Sequence, residues 1–319
     1  MKKILVIGGG AMGSAFTVPC LDNGNSVTIT EPYSIRFIKN LSSNNKFHSA
    51  LKINLPKKLK YRKFSGELLK EKFDLIVIAL SLSGIDFIGK ELMKYKIDIP
   101  ILVLTKGLKY QKKSKKIFTI SKRLINDYKL KNVSILKGPC LAKELARKKP
   151  TSVIIANKNI KIAKSIGKLI STKYYLIEYS KDVVGIEVCS AIKNIYSMII
   201  GAGQSLNSSS NLFQKSILEM KYLIKYFKGK DETILGLAGI GDLYVSASGG
   251  RNSKMGSYLG MGFTFKTAKR KFMYKDTIEG EQLAREIAPF ILRKIDKKKI
   301  PLMVNLLGVI LNNKKLKVI

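Results

Sequence analysis

The sequence predicts an α/β chain: a doubly wound parallel sheet in the first half and an all-helical second half. Three observations carry this. Short, continuously apolar runs alternate with helix-compatible stretches to about residue 178. A glycine-rich break separates the first apolar run from the first helical stretch. Beyond residue 180 the apolar residues recur at helical spacing throughout. Strands alternating with helices build a parallel sheet with helices on its faces. A length of 319 residues suits two domains, with boundaries expected at 1–180 and 181–319.

The first apolar run, Lys3–Ile7, is a short strand that breaks into Gly8–Gly–Gly10–Ala–Met–Gly13. A helix-compatible stretch to Leu21 follows, then a β-rich run, Ser26–Thr30, ending at Glu31. Gly8, Gly10 and Gly13 fit G-x-G-x-x-G. The first glycine makes the turn, the second lets a pyrophosphate approach the backbone, and the third lets helix and strand pack closely. The helix N-terminus offers unpaired N–H groups and a positive dipole end to phosphates. Gly8, Gly10, Ala11, Met12 and Gly13 are therefore cofactor-binding candidates in a Rossmann-type domain. Glu31 lies 18 residues past Gly13, where an acid accepts the ribose hydroxyls of NAD and repels a 2′-phosphate. Arg36 and Lys39 follow and keep NADP open.

Further strands are expected at Asp74–Leu80, Ile99–Thr105, Val133–Leu136, Thr151–Ala156 and Tyr174–Glu178, with helices at Ile85–Tyr95 and roughly Lys113–Tyr128. In such sheets ligands bind beyond the strand C-termini. Lys106–Gly107 and Gly138–Pro139–Cys140 both stand at that edge. The second half reads as helices at Asp182–Gly203, Ser208–Phe227, Gly239–Ser246, Thr264–Phe272, Glu279–Ile291 and Pro301–Leu311.

The helix opening near Asp182 is apolar nearly all round, through Val183, Ile186, Ala191, Ile195, Met198 and Ile199. Such a helix is buried. Lys193 sits inside this pattern. Desolvation lowers an ammonium pKa and makes a lysine a candidate proton shuttle; the plain alternative is a lysine snorkelling to water. Three more polar signals follow: Asp242 at the end of Gly236–Gly241, Arg251–Asn252 on a loop after Gly249–Gly250, and Thr277–Ile–Glu279–Gly280 opening a later helix. Each has an ordinary reading as a cap, a solvated turn or a dipole partner.

The net charge of +37 suggests nucleic acid. The cations, however, are mostly lysines, with eight arginines, scattered in short clusters such as Lys112–Lys113 and Lys297–Lys299. This pattern reads as solvated faces, so neither nucleic acid nor membrane insertion is expected. No apolar run reaches the length of a bilayer-spanning helix. The N-terminal run stops at Gly8, too soon for a signal peptide. A cytoplasmic location follows as an expectation, and a homodimer is compatible with the sequence. Cys20, Cys140 and Cys189 lie too far apart in sequence for a metal or disulfide framework. The single histidine, His48, falls in a polar stretch and reads as an idle surface residue. An alcohol-oxidising site would then take lysine as its base.

In order along the chain, Lys106–Gly107, Gly138–Pro–Cys–Leu–Ala–Lys–Glu144, Glu187–Val–Cys–Ser–Ala–Ile–Lys–Asn194, Gly236–Leu–Ala–Gly–Ile–Gly–Asp–Leu243, Gly250–Arg–Asn252 and Thr277–Ile–Glu–Gly280 resemble the motifs of the NAD(P)-dependent glycerol-3-phosphate dehydrogenases. Asn207 and Glu219–Met220 match as well. The resemblance departs at Cys140 and Gly250, where the family usually has serine, and at Met12, where an aromatic residue is common. It implies a hydride exchange between NAD(P)H and dihydroxyacetone phosphate, yielding sn-glycerol 3-phosphate for glycerophospholipid synthesis. It also implies roles. Lys193 is the acid/base. Lys106, Gly138, Cys140, Asp242, Gly250, Arg251 and Asn252 meet a small phosphorylated substrate. Lys106, Ala142, Arg251, Thr277 and Glu279 join the glycine loop at the cofactor. A ketopantoate reductase or 3-hydroxyacid dehydrogenase would share the glycine loop but lacks the Gly236–Leu243 and Arg251–Asn252 segments. Two alternatives remain: a related lysine-based reductase acting on a different, larger polyol phosphate or on a keto acid, and a non-catalytic basic nucleotide sensor.

Overall fold

A computed structural model describes residues 1–34, 39, 41 and 46–317; Arg36 lies outside the described residues. Twelve strands are described: β1 (Lys3–Ile7), β2 (Ser26–Glu31), β3 (Phe47–His48), β4 (Ile53–Asn54), β5 (Lys60–Lys63), β6 (Leu75–Ile78), β7 (Ile101–Val103), β8 (Leu108–Gln111), β9 (Lys116–Thr119), β10 (Val133–Lys137), β11 (Thr151–Ala156) and β12 (Tyr175–Ser180). Eight of them form one sheet in the order β12-β11-β10-β7-β6-β1-β2-β5. From β5 to β10 the pairing is parallel, and the order is the 3-2-1-4-5-6 of a doubly wound dinucleotide-binding sheet. Its central strands are buried on both faces: Ile4–Ile7 and Leu75–Ile78 are at most 1% exposed. This is why they read as continuous apolar runs.

The sheet departs from an all-parallel one at its far edge. β11 runs antiparallel to β10, and β12 is parallel to β11. The link after β10 holds only the short helix Ala142–Ala146, which returns the chain beside the strand it left. The third strand of the parallel run, β5, has no counterpart among the expected strands. It is a four-residue edge strand, Lys-Tyr-Arg-Lys, with three of the four side chains exposed, so it carries no apolar pattern.

The chain divides into two compact units: residues 1–106 with 120–183, and residues 107–119 with 184–319. The polar helix expected at roughly 113–128 is instead the β8–β9 hairpin followed by the helix Ile120–Asn126. The lysine-rich turn at 112–115 breaks the helix, with Lys115 at φ 53°. The Tyr110 N–H donates to Glu286 Oε1 at 2.8 Å, which ties the hairpin to the helix Glu279–Lys294 of the second unit.

The second unit is otherwise helical. The helix Val183–Gly201 is long and apolar enough to cross a bilayer by length and composition, which the expectation of no such run overlooked. It carries Glu187 and Lys193, and 89% of its most apolar window is buried inside the protein. A neighbouring carboxylate helps anchor it. Glu219 accepts hydrogen bonds from Tyr196 Oη (2.9 Å) and from the N–H groups of Leu302 (2.7 Å) and Met303 (3.1 Å). It thus joins the long helix to the start of Pro301–Asn312. Burial pushes the Glu219 carboxyl above its usual range, and the three donors oppose that shift.

Among the described residues, seven lysines sit at positive φ. Lys96, Lys148 and Lys228 each stand one residue past a helix C-cap, where glycine is the usual residue. A side chain in this region costs about 1–2 kcal/mol, and glycine's larger unfolded-state entropy offsets part of that. Lys228→Gly is therefore expected to raise the unfolding free energy by roughly 0.5 kcal/mol in urea titration. A loss of stability of that size would show that the Lys228 side chain makes a compensating contact.

Candidate active site

The first unit builds a dinucleotide cradle at the ends of β1, β2 and β6. Gly8 follows β1 at φ +117°, and its N–H donates to Thr30 O at 2.8 Å. A Cβ on Gly8 would stand 2.5 Å from Ala79 O; one on Gly13 would stand 2.0 Å from Gly8 O and 2.9 Å from the Ala79 side chain. Both positions require glycine for packing. Gly10, the N-cap of the helix Ala11–Asp22, has no atom of the described residues, its chain neighbours aside, within 4 Å of where its Cβ would lie. Packing against the described residues therefore does not require glycine there. The first-turn N–H groups of this helix have no intrahelical acceptor, so the loop fits a pyrophosphate. Ala11 and Met12 lie in that first turn, packed in part against the core.

Glu31 ends β2 beside this loop. Its Oε2 accepts from the Gly9 N–H at 2.8 Å and its Oε1 from the Tyr33 N–H at 2.9 Å. A carboxylate has about four acceptor sites, so capacity for a ribose hydroxyl is left. His48 corrects the sequence reading. It is 2% exposed, with Nε2 3.2 Å from Gly9 O. Its polar surroundings in sequence concealed this, because the contact spans 39 residues. Burial pushes the imidazole below its ordinary value, against an opposing pull from the Gly9 carbonyl.

At the same sheet edge, Lys106 follows β7 half-buried, and Gly138 (φ +122°) and half-buried Cys140 follow β10, with Ala142 opening the next short helix. Lys137, which sequence reading passed over, lies between these segments. Its buried Nζ donates to the carbonyls of Val103 (3.3 Å), Leu104 (3.2 Å) and Thr105 (2.7 Å). One ammonium thus fixes the strand end that carries Lys106. As a single lysine ending an apolar strand it gave no spacing signal.

The second unit holds the acid/base candidate. Lys193 is 6% exposed, so its side chain does not snorkel to water. Its Nζ donates to Asp242 Oδ1 at 2.7 Å and to Ser246 Oγ. Asp242 is itself 2% exposed and opens the helix Asp242–Ala247, after a π-helical turn over the glycine-rich Leu237–Gly241. Ser246 was missed, although i and i+4 share a helix face and its spacing from Asp242 marks it.

Arg251 and Asn252 lie on the first turn of a helix, Arg251–Gly260, rather than on a loop. Gly250 is its extended N-cap, and the polar residues Arg, Asn, Ser and Lys at its start hid the helical pattern. The Arg251 guanidinium is half-exposed and pairs with Glu279. Asn252 is buried: Oδ1 accepts from the Gly280 N–H at 2.8 Å, and Nδ2 donates to Asn194 Oδ1 at 3.3 Å. Asn252 thereby joins the residue after Lys193 to the start of the helix Glu279–Lys294. Thr277 is exposed just before that helix. Within this unit the structure brings Lys193, Asp242 and Ser246 into one group, and Arg251, Asn252 and Glu279 into a second, linked through Asn194.

Two family models match the chain: the NAD-dependent glycerol-3-phosphate dehydrogenase N-terminus over residues 3–163 and its C-terminus over residues 182–319. A protein of Archaeoglobus fulgidus named NADP(+)-dependent glycerol-3-phosphate dehydrogenase is 30% identical over 89% of this chain and 88% of its own length. A glycerol-3-phosphate dehydrogenase [NAD(P)+] of Phytoplasma mali is 28% identical over 99% and 95%. Among solved structures, the glycerol-3-phosphate dehydrogenase of Coxiella burnetii superposes with a TM-score of 0.85 at 23% identity, covering 98% of this chain and 96% of that one. At that identity the likeness speaks for the fold. With both halves matched, the chain belongs to the NAD-dependent glycerol-3-phosphate dehydrogenase family, NAD(P)-dependent oxidoreductases acting on CH–OH.

Proposed function

We propose that this chain interconverts dihydroxyacetone phosphate and sn-glycerol 3-phosphate with Lys193 as its acid/base. The buried Lys193–Asp242 contact carries this reading. The dinucleotide supplies or accepts the hydride. In reduction, Lys193 Nζ delivers a proton to the ketone oxygen; in oxidation it takes the hydroxyl proton. Asp242 and Ser246 hold the Nζ in place, and the apolar helix around it keeps water out. Arg251 offers a planar fork for the substrate phosphate. Asn252 sets the position of that helix start. Lys106, Gly138 and Cys140 would line the substrate. Thr277, Glu279, Ala142 and Lys106 would assist the cofactor. A cytoplasmic enzyme supplying glycerophospholipid synthesis fits this chemistry, as does a homodimer.

Two experiments test the assignment of groups. Arg251→Ala is expected to raise KM for dihydroxyacetone phosphate by about 100-fold, the scale of a lost charge-assisted contact of up to about 3 kcal/mol. Turnover of unphosphorylated dihydroxyacetone should change less than threefold by the same argument. Equal losses for both ketones would move the phosphate site away from Arg251. For the cofactor, Glu31 favours NADH, and wild type should show the higher kcat/KM with it, a preference that Glu31→Ser narrows. The Archaeoglobus fulgidus relative is named for NADP(+), so a tenfold preference for NADPH would assign the ribose contact to other residues.

A further inference from the structure

The 47–54 hairpin carries a contact that neither the glycine motif nor the chemistry at Lys193 accounts for. His48 pairs with Ile53 across β3 and β4, and its ring is buried against the glycine loop. Two of the contacts of the ring point to its protonation. The Leu51 N–H lies 3.3 Å from Nδ1 and can only donate; the Gly9 carbonyl lies 3.2 Å from Nε2 and can only accept. The tautomer that satisfies both is the neutral ring with its proton on Nε2. Leu51 is itself anchored, because its carbonyl accepts from Arg147 Nη2 at 3.1 Å. Arg147 is the C-cap of the helix that begins at Ala142.

Gly9 is consequently gripped at both polar groups. Its carbonyl takes Nε2–H of His48 and Ser14 Oγ (2.9 Å), and its N–H gives to Glu31 Oε2. Gly9 lies between the positive-φ Gly8 and the helix N-cap Gly10. A three-glycine run has little conformational preference of its own. A fixed Gly9 peptide therefore decides whether the N–H groups after it are already aimed when a ligand arrives, and prior ordering raises affinity.

We propose that His48 is a positioning residue for the dinucleotide: its imidazole locks the Gly9 carbonyl and so sets how tightly the glycine loop holds the pyrophosphate. The proposal rests on the dinucleotide reading of the first unit. It predicts equal effects on NADH and NADPH, since the pyrophosphate is common to both, and little effect on the chemical step.

The test is direct binding, read from the fluorescence of NADH or NADPH excited near their own absorbance, because the chain has no tryptophan to act as donor. His48→Leu keeps the bulk and loses both hydrogen bonds. It is expected to raise both dissociation constants about tenfold, the scale of one hydrogen bond of about 1.4 kcal/mol. Its kcat at saturating cofactor and its KM for dihydroxyacetone phosphate should stay within about twofold of wild type by the same partition. His48→Gln, which can present an amide N–H to Gly9, should recover most of the binding. Urea titration of each variant separates folding from binding. If folded His48→Leu binds NADH as wild type does, or if His48→Gln loses as much as His48→Leu, the assignment is overturned. If wild type itself binds neither dinucleotide, the cofactor reading fails along with it.

Discussion

Lys193→Ala is expected to lower kcat for ketone reduction by about 10²–10⁴-fold, the usual share of a general acid/base group. Cofactor affinity should be almost unchanged, because Lys193 is not among the residues placed at the cofactor; its Nζ is held by Asp242 and Ser246. Stability must be followed in parallel. The side chains of Lys193 and Asp242 are only 7% and 3% exposed, and removing one member of a buried pair costs about 3–5 kcal/mol, chiefly through the charge left behind. A double variant, Lys193→Met with Asp242→Leu, removes both charges and should regain much of the lost stability. Its activity should remain as low as that of Lys193→Ala. Recovery of activity together with stability would assign the single variant's defect to misfolding and move the base elsewhere. Retention of more than about a tenth of wild-type kcat by folded Lys193→Ala would do the same.

The second large effect separates two glycines of one motif. Gly10→Ala places a methyl where, among the described residues and apart from its own chain neighbours, no other atom lies within 4 Å. Stability should therefore change by less than about 0.5 kcal/mol, as at an open surface position. NADH binding should weaken at least about tenfold, because the methyl occupies the approach of the pyrophosphate. Gly13→Ala behaves differently. Its methyl would press to 2.0 Å from the Gly8 carbonyl oxygen, and backbone there cannot give way as a flexible side chain could. A stability loss of about 3 kcal/mol, at the upper end of overpacking costs, is expected in urea titration, with binding lost as the loop is pushed out of shape. If Gly10→Ala binds NADH normally, the pyrophosphate does not pass over residue 10.

The contrast between those glycines shows what a sequence can convey. The spacing of Gly8, Gly10 and Gly13 was legible because strand, turn and helix geometry all depend on it within a few residues. The position of Glu31 at the end of the next strand was legible for the same reason. Lys193 stood out because an apolar helix makes a charge conspicuous. What stayed hidden depends on long-range contact. His48 lies in a polar stretch and reaches Gly9 only through the fold, and Lys137 reaches three carbonyls of a neighbouring strand segment. Ser246 was within reach of helical spacing. Local patterning also failed where polarity masks structure. β5 is an exposed edge strand, the 108–119 hairpin carries a lysine-rich turn that resembles a polar helix, and the helix beginning at Arg251 opens with polar residues.

The reaction assigned to Lys193 and Arg251 is tested most directly on the wild-type enzyme. NADH oxidation is followed with dihydroxyacetone phosphate and, separately, with dihydroxyacetone, and the product is identified as sn-glycerol 3-phosphate. The phosphorylated ketone should be favoured in kcat/KM by at least about 100-fold, the value of one charged contact near 3 kcal/mol. Similar kcat/KM for the two ketones, or turnover of a longer keto-sugar phosphate with none of dihydroxyacetone phosphate, would contradict the assigned substrate.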